Sequence, residues 1–111
     1  MANYKMVILS RPTEGMEEEY NEWYQNVHLG ELVALDGIVS GRRYRRAKTL
    51  GERDSYPYLA IYEIETDDID RVVADLTRTA EAGRLTMSPA MDTDSAYAVV
   101  YEEFGPVVSQ T

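Results

Sequence analysis

The sequence predicts an α+β domain in which one antiparallel four-stranded sheet carries two helices on one face. Four short runs rich in β-branched and aromatic residues are interspersed with two segments whose apolar residues recur every three to four positions. Their order is strand, helix, strand, strand, helix, strand, which is the ferredoxin-like βαββαβ arrangement. A chain of 111 residues is the right size for one such domain, and we expect residues 1–111 to form it alone.

The first strand is predicted in residues 4–10 (YKMVILS), and the first helix is predicted to follow Thr13 and to stop at Asp36 and Gly37. Thr13 is a suitable N-cap, and the glutamates that follow it suit the positive end of the helix dipole. Gly37 fits the left-handed position that ends a helix. Gly30 costs about 1 kcal/mol relative to alanine inside a helix, so we expect a kink there.

The second strand is predicted in residues 38–47 (IVSGRRYRRA). Strand alternation divides its four arginines between two faces and sets Arg43 on the face opposite Tyr44. The sequence leaves open which face lies under the helices. The arginines of the covered face are candidates for holding an anionic ligand or for pairing with Glu31, and surface salt bridges are the alternative.

A polar loop, residues 48–56, leads to the third strand, predicted in residues 57–65 (PYLAIYEIE). The second helix follows, with Thr66 or Asp67 as its cap and an end at Gly83. Its apolar residues form one stripe, and it carries no group of side chains suited to chemistry. We interpret it as a packing helix.

Residues 84–94 lack periodicity and predict a surface connection, long enough to fold over a pocket mouth. The fourth strand is predicted in residues 95–104, and residues 105–111 form a tail. Several strands contain continuous apolar runs rather than a clean alternation, which is typical of strands covered on both faces. The helices cover one face only, so we expect a second copy to cover the other in a homodimer.

The predicted first helix contains the only tryptophan and the only histidine of the chain. An ideal helical wheel places five residues on one face: Tyr20, Tyr24, Val27, Glu31 and Leu35. His28 lies on one flank of that face and Trp23 on the other. The face is apolar except for the Glu31 carboxylate, which would need a partner if buried.

His28 is the nearest partner for Glu31, since residues three apart on a helix lie roughly 5 to 6 Å apart at Cβ. Glu31 would then accept from one imidazole nitrogen and leave the other for a ligand, which is the arrangement of an oriented general acid or base. In the alternative, His28 lies half-solvated at the helix edge and Glu31 pairs with an arginine of a neighbouring strand.

Composition restricts the function further. The 20 acidic and 11 basic residues give a net charge of −9, which disfavours nucleic acid and anionic membranes as partners. The chain has no cysteine, and neither a leader-like segment nor a long apolar stretch, so we expect a cytoplasmic protein. Nine tyrosines beside one phenylalanine suit a pocket or interface that is partly wet, although packing alone also explains them.

The first helix and the second strand together resemble the dimeric α+β barrel superfamily, and within it the small EthD-like proteins. The residues that carry this resemblance are Glu19, Trp23, Tyr24, His28, Leu29, Glu31, Leu32, Gly37, Arg42, Arg43 and Tyr44. The superfamily includes cofactor-free cyclases, isomerases, lyases and dehydratases, quinone-forming monooxygenases and haem-degrading enzymes. The resemblance implies a ligand between helix and sheet or within the barrel, and it favours His28 as the site residue.

The resulting hypothesis is a cofactor-free enzyme that transfers protons on a lipophilic, aromatic or polyketide-like molecule. His28 would be the acid or base, Glu31 its orienting partner, and Tyr24 a hydrogen-bond donor. The residues expected to contact the substrate are Tyr20, Trp23, Arg43, Tyr44 and Tyr62. The second hypothesis is a dimeric protein that only binds such a ligand.

Cofactor and metal roles are disfavoured. No glycine-rich turn follows a strand, as a flavin or nicotinamide site would need. His28 and Glu31 would supply only two ligands to a metal. Haem-degrading relatives carry their haem histidine and tryptophan in the second half of the chain, whereas here both lie in the first helix, which disfavours a haem-binding or monooxygenase role.

Overall fold

The computed structural model describes residues 1–51 and 53–111. Four strands form one antiparallel sheet in the spatial order β2-β3-β1-β4. Their bounds are β1 (Ala2–Ser10), β2 (Ile38–Arg45), β3 (Tyr58–Thr66) and β4 (Tyr97–Glu102). This order, with one helical segment between β1 and β2 and another between β3 and β4, is the ferredoxin-like arrangement, so the predicted fold class is confirmed.

The first helix consists of three parts that follow one another without a break: α1 (Glu17–Trp23), a π-helical segment (Tyr24–His28) and α2 (Leu29–Val33). The second helix, α3 (Ile69–Glu81), is regular. The departure from α-helical geometry therefore precedes Gly30, where a kink was expected. Gly30 itself lies within α2.

Both predicted helix starts need correction. Thr13 does not cap α1, because the helix begins at Glu17 and the Thr13 hydroxyl donates to the Pro89 carbonyl oxygen at 2.7 Å. The cap of α3 is Asp68, whose carboxylate accepts from the Arg71 backbone N–H at 3.1 Å. Asp68 was missed because the prediction placed the helix start one or two residues earlier. Gly37 does adopt the predicted left-handed conformation, with φ +94°.

A β-bulge near the start of β2 decides which side chains of this strand face the helices. Ile38 pairs with Ile64, but Ser40 pairs with Glu63, so two steps along β2 match one step along β3. The extra residue reverses the alternation after Val39. Arg43 consequently lies opposite Ala60, a buried position on the helix-covered face.

The core lies between the helices and one face of the sheet. In β3 the buried positions alternate, and Tyr58, Ala60, Tyr62 and Ile64 face the helices. The opposite face of the sheet carries apolar side chains that are partly exposed in the single chain. These are Val7 and Leu9 of β1, Leu59 and Ile61 of β3, and Val99 of β4.

Candidate functional site

The π-helical segment sets which residues of the first helix point inward. A π turn takes up one more residue than an α turn, so every later position is displaced along the helix face by one. The ideal wheel predicted Val27 and Glu31 inside, whereas the structure buries His28 and Leu32. Val27 is 37% exposed and His28 is 7% exposed. The single extra residue thus carries the histidine into the core.

His28 is enclosed by two aromatic rings. Its imidazole stacks on the Trp23 indole, with ring centres 4.6 Å apart and planes 26° apart. The Tyr24 ring meets it edge-on at 4.9 Å. Its Nδ1 atom is buried and has no hydrogen-bond partner within the described part of the chain. Burial lowers the pKa of His28 from its ordinary value of 6.5, against the opposing charge of Glu31, so the imidazole is neutral at pH 7.

The expected hydrogen bond between Glu31 and His28 does not form, and this prediction is corrected. Both Glu31 carboxylate oxygens accept from the Thr86 backbone N–H, at 2.9 and 3.1 Å, and one also accepts from the Thr86 hydroxyl at 2.8 Å. The Trp23 Nε1–H donates to the Thr86 carbonyl oxygen at 2.8 Å. The π turn rotates Glu31 off the inward face, so it fixes the connection after α3 against the first helix instead.

Three tyrosines from the helix and the sheet complete the interior of the cluster, and Tyr20, Tyr24 and Tyr62 are at most 1% exposed. The Tyr20 hydroxyl is hydrogen-bonded to the Ser10 hydroxyl. The hydroxyls of Tyr24 and Tyr62, by contrast, make no hydrogen bond of ordinary geometry with the residues described, although these two hydroxyls are near enough for each to shift the pKa of the other. Burial raises the pKa of Tyr24 to about 12 and raises the pKa of Tyr62 as well, so both remain protonated donors at neutral pH.

Arg43 lies at the border of this cluster. Its guanidinium donates to the Asn21 carbonyl oxygen at 3.3 Å and to the Asn21 Oδ1 at 2.6 Å. Its Cζ lies 4.9 Å from the centre of the Tyr24 ring, 5.3 Å from that of Tyr58 and 5.4 Å from that of Tyr20. The β-bulge therefore resolves the open question about β2, since Arg43 is on the covered face.

Tyr44, expected to contact the substrate, is not part of the buried cluster. It pairs with Leu59, on the sheet face opposite the helices, and the Arg42 guanidinium lies 5.9 Å from its ring centre. It does border an open cleft of about 380 Å³ at the outer edge of β2. The residues that line this cleft are Asn21, Gln25, Arg43, Tyr44, Arg45 and Tyr58.

Comparison with known proteins identifies the fold. No protein-family model matches the sequence, and no curated protein matches it. Among solved structures, a dimeric ferredoxin-like protein of unknown function from Thermobifida fusca aligns over 92% of each chain, with a TM-score of 0.60 and 14% identity. An ethyl tert-butyl ether D (EthD) family protein from Bacillus halodurans aligns over 94% of this chain and 100% of its own, with a TM-score of 0.52 and 14% identity.

HapK from Hahella chejuensis aligns over 97% of this chain and 99% of its own, with a TM-score of 0.56 and 16% identity. The chain has the ferredoxin-like fold of these proteins. The resemblance to EthD-like proteins is thus confirmed at the level of fold. Identities this low carry no reaction from one α+β barrel protein to another.

Three residues of this site were not predicted from the sequence. Tyr58 and Tyr62 lie an even number of residues apart in β3, so strand alternation places both on the same face of the sheet and could have identified Tyr58. Asn21 follows Tyr20 on α1 with no pattern to mark it. Thr86 lies in the connection without periodicity, so its pairing with the first helix had no signal in the sequence.

No three histidine or carboxylate side chains among residues 1–51 and 53–111 are grouped so that they could hold a metal ion. Within the same ranges, every helix is too short or too polar to cross a bilayer.

Proposed function

We propose that this chain is a cofactor-independent enzyme that transfers a proton on a lipophilic, aromatic or polyketide-like small molecule, with His28 as the acid or base. Three buried polar atoms without partners in the described residues carry the proposal: the hydroxyls of Tyr24 and Tyr62 and the Nδ1 of His28. An unmade buried hydrogen bond costs about 1–3 kcal/mol. The polar atoms of a ligand would supply the hydrogen bonds that these three atoms lack.

The roles follow from the protonation states. A neutral imidazole can accept a proton from an acidic carbon or hydroxyl group and return it, which typically contributes about 10²- to 10⁴-fold to a rate. The protonated hydroxyls of Tyr24 and Tyr62 can donate to a carbonyl oxygen that gains negative charge during the reaction. The stacked Trp23 ring offers an apolar surface to a planar substrate. Lyase, isomerase, cyclase and dehydratase reactions all use such proton transfers, which in lyases, cyclases and dehydratases accompany the making or breaking of a C–C or C–O bond.

The test is a screen of planar phenols, quinones and polyketide-like compounds, with products followed by mass spectrometry. We expect His28→Asn to reduce turnover at least 100-fold while ligand affinity stays within tenfold. Asn26→Ala, an exposed change two residues earlier on the same helix, is the matched control and should keep full turnover. Unchanged turnover in His28→Asn would refute the assignment of His28.

A ligand-binding protein without catalysis is the second candidate. The observation that favours it is that no described acidic residue is hydrogen-bonded to His28. A general base is usually oriented by such a carboxylate, and His28 is not. The same screen decides between the two. A binding protein would take up compounds of the panel unchanged, and His28→Asn would alter affinity alone.

We also infer that the protein is a homodimer, joined through the sheet face opposite the helices. Val7 of β1 lies between Ile61 of β3 and Val99 of β4, and these three form an apolar row at the middle of that face. Dimeric ferredoxin-like proteins are among the structures with the same fold. A second sheet packed on this face would remove the row from water.

Sedimentation velocity tests this inference. We expect the wild-type protein to sediment at twice the chain mass of 12.6 kDa. Ile61→Asp, which places a charge in the middle of the apolar face, should give a monomer. Val73→Asp puts the same charge on an exposed apolar position of α3 and should leave the dimer intact. A wild-type protein that sediments as a monomer would overturn the inference.

A further inference from the structure

We propose that the ligand of this site carries a carboxylate and that Arg43 binds this group at the mouth of the cleft. The inference rests on the proposed function, since it takes the cluster around His28 as the place where the ligand lies. It adds the class of ligand: a planar, largely apolar acid whose carboxylate is held apart from the reacting part of the molecule.

The first support is that Arg43 has no acidic partner in the described chain. Ion pairs within 4 Å join Lys5, Arg11, Arg71 and Arg78 to carboxylates. Arg43 has no carboxylate within 4 Å, and its neighbours are Asn21 and three tyrosine rings, with Glu17 joined to this group only through the Tyr58 hydroxyl. The other described basic residues without an ion pair are exposed, whereas Arg43 is half-buried. In a chain with 20 acidic residues and 11 basic ones, a half-buried arginine without an acidic partner needs an explanation.

The second support is that the guanidinium is held in place with donors to spare. It uses two of its five N–H groups on Asn21, and the tyrosine rings restrict its plane. Three N–H groups therefore have no partner among the described residues, and guanidinium N–H groups form strong charge-assisted hydrogen bonds with carboxylate oxygens. An arginine whose rotamer is already fixed loses little conformational entropy when it binds an anion, so its position favours recognition.

The third support is the position of Arg43 relative to His28. The Arg43 Cζ and the His28 ring centre each lie 4.9 Å from the centre of the Tyr24 ring, so they are no more than about 10 Å apart. The cleft that Arg43 lines has a volume of about 380 Å³, which is room enough for a fused bicyclic aromatic acid beside the guanidinium.

The fourth support is electrostatic. The charge of Arg43 lowers the pKa of Tyr20, Tyr24 and Tyr62, although burial raises each of these values by more. The positive potential of this one side chain therefore extends through the cluster. The net charge of −9 repels anions at long range, so selection of an anion has to come from a local positive group such as Arg43.

The experiment compares two probes of the same shape, 2-naphthoate and its neutral amide 2-naphthamide, by isothermal titration calorimetry. We expect the wild-type protein to bind the naphthoate at least tenfold more tightly than the amide. Arg43→Gln should reduce naphthoate affinity to that of the amide and leave amide affinity unchanged. Arg46→Gln removes the same charge from an exposed arginine that contacts Ser55, and it should retain the wild-type preference.

Arg43→Lys keeps the charge without the guanidinium group and should retain only part of the preference, which provides a second variant if Arg43→Gln does not fold. The proposal is overturned by equal affinity for the two probes, by a preference that survives in both Arg43 variants, or by failure of the naphthoate to bind at about 1 mM.

The ring-proton signals of His28 in NMR spectra separate this proposal from the proposed function. If they shift when naphthoate binds, the anion site and the histidine belong to one ligand site. If naphthoate binding depends on Arg43 but these signals do not move, the carboxylate site stands and the proposed role of His28 fails. If the signals shift equally with both probes and affinity does not depend on Arg43, the proposed role of His28 stands and the carboxylate site at Arg43 fails.

Discussion

Tyr62→Phe should leave the protein at least as stable as the wild type. Tyr62 is completely buried, and its hydroxyl has no hydrogen-bond partner among the described residues. The substitution keeps the ring and removes only the oxygen. Since a buried hydroxyl without a partner costs about 1–3 kcal/mol, its removal should leave the free energy of unfolding unchanged or raise it by about 1 kcal/mol.

Tyr20→Phe is the matched comparison. Tyr20 is also completely buried, but its hydroxyl is bonded to Ser10, which is itself 1% exposed. Removing that hydroxyl leaves a buried serine without its partner and should lower the free energy of unfolding by about 1–2 kcal/mol. The two variants delete the same atom from the same residue type, yet only Tyr20→Phe should destabilise the protein.

Urea unfolding at a fixed protomer concentration measures both effects, because the stability of a dimer depends on concentration. A difference of 1 kcal/mol corresponds to a shift of about 0.5–1 M in the urea midpoint for a domain of this size. The reasoning is refuted if Tyr62→Phe destabilises the protein as much as Tyr20→Phe. The Tyr62 hydroxyl would then belong to an internal network rather than to a ligand site.

Three other outcomes follow from the same geometry. Gly41→Ala should lower the melting temperature by several degrees, because a Cβ at this position would lie 2.8 and 2.9 Å from two carbons of the Tyr62 ring. Glu31→Gln should lower the pKa of His28 further, as seen by NMR titration, because the charge of Glu31 raises it. Urea unfolding should show that the free energy of unfolding falls as the pH decreases below 6.5, because His28 takes up a proton in the unfolded chain at a higher pH than in the folded chain. The fall should end once the pH is below the pKa of His28 in the folded protein, and His28→Gln should remove this part of the pH dependence.

The order of helices and strands was predictable because the spacing of apolar residues along a segment does not depend on local irregularities such as caps and bulges. The apolar stripe of α3 and the alternating buried positions of β3 define their secondary structure and their covered faces without reference to the rest of the chain. Element order then leaves few arrangements, and the ferredoxin-like one was correct. Individual caps such as Asp68 depend on where a helix begins to within one residue, which periodicity does not determine.

The interior of the site depends on two irregularities of one residue each. The π turn brings His28 inward in place of Val27, and the β-bulge near Val39 brings Arg43 to the covered face. A helical wheel and a strict strand alternation both assume regular geometry. One extra residue therefore shifts every later helix position by one, and it moves every later strand side chain to the other face of the sheet. His28 and Arg43 could be named from the sequence as candidates, but their meeting at Tyr24 could not.

The most direct test of the account is an NMR titration of the His28 ring nitrogens, which needs no assignment because the chain has a single histidine. The account predicts a neutral imidazole at pH 7, a pKa below the ordinary 6.5, and signals that move when 2-naphthoate is added. A titration at about 6.5 or above, unchanged by 2-naphthoate and by every compound of the phenol and quinone panel, would place His28 in solvent and contradict the proposed site.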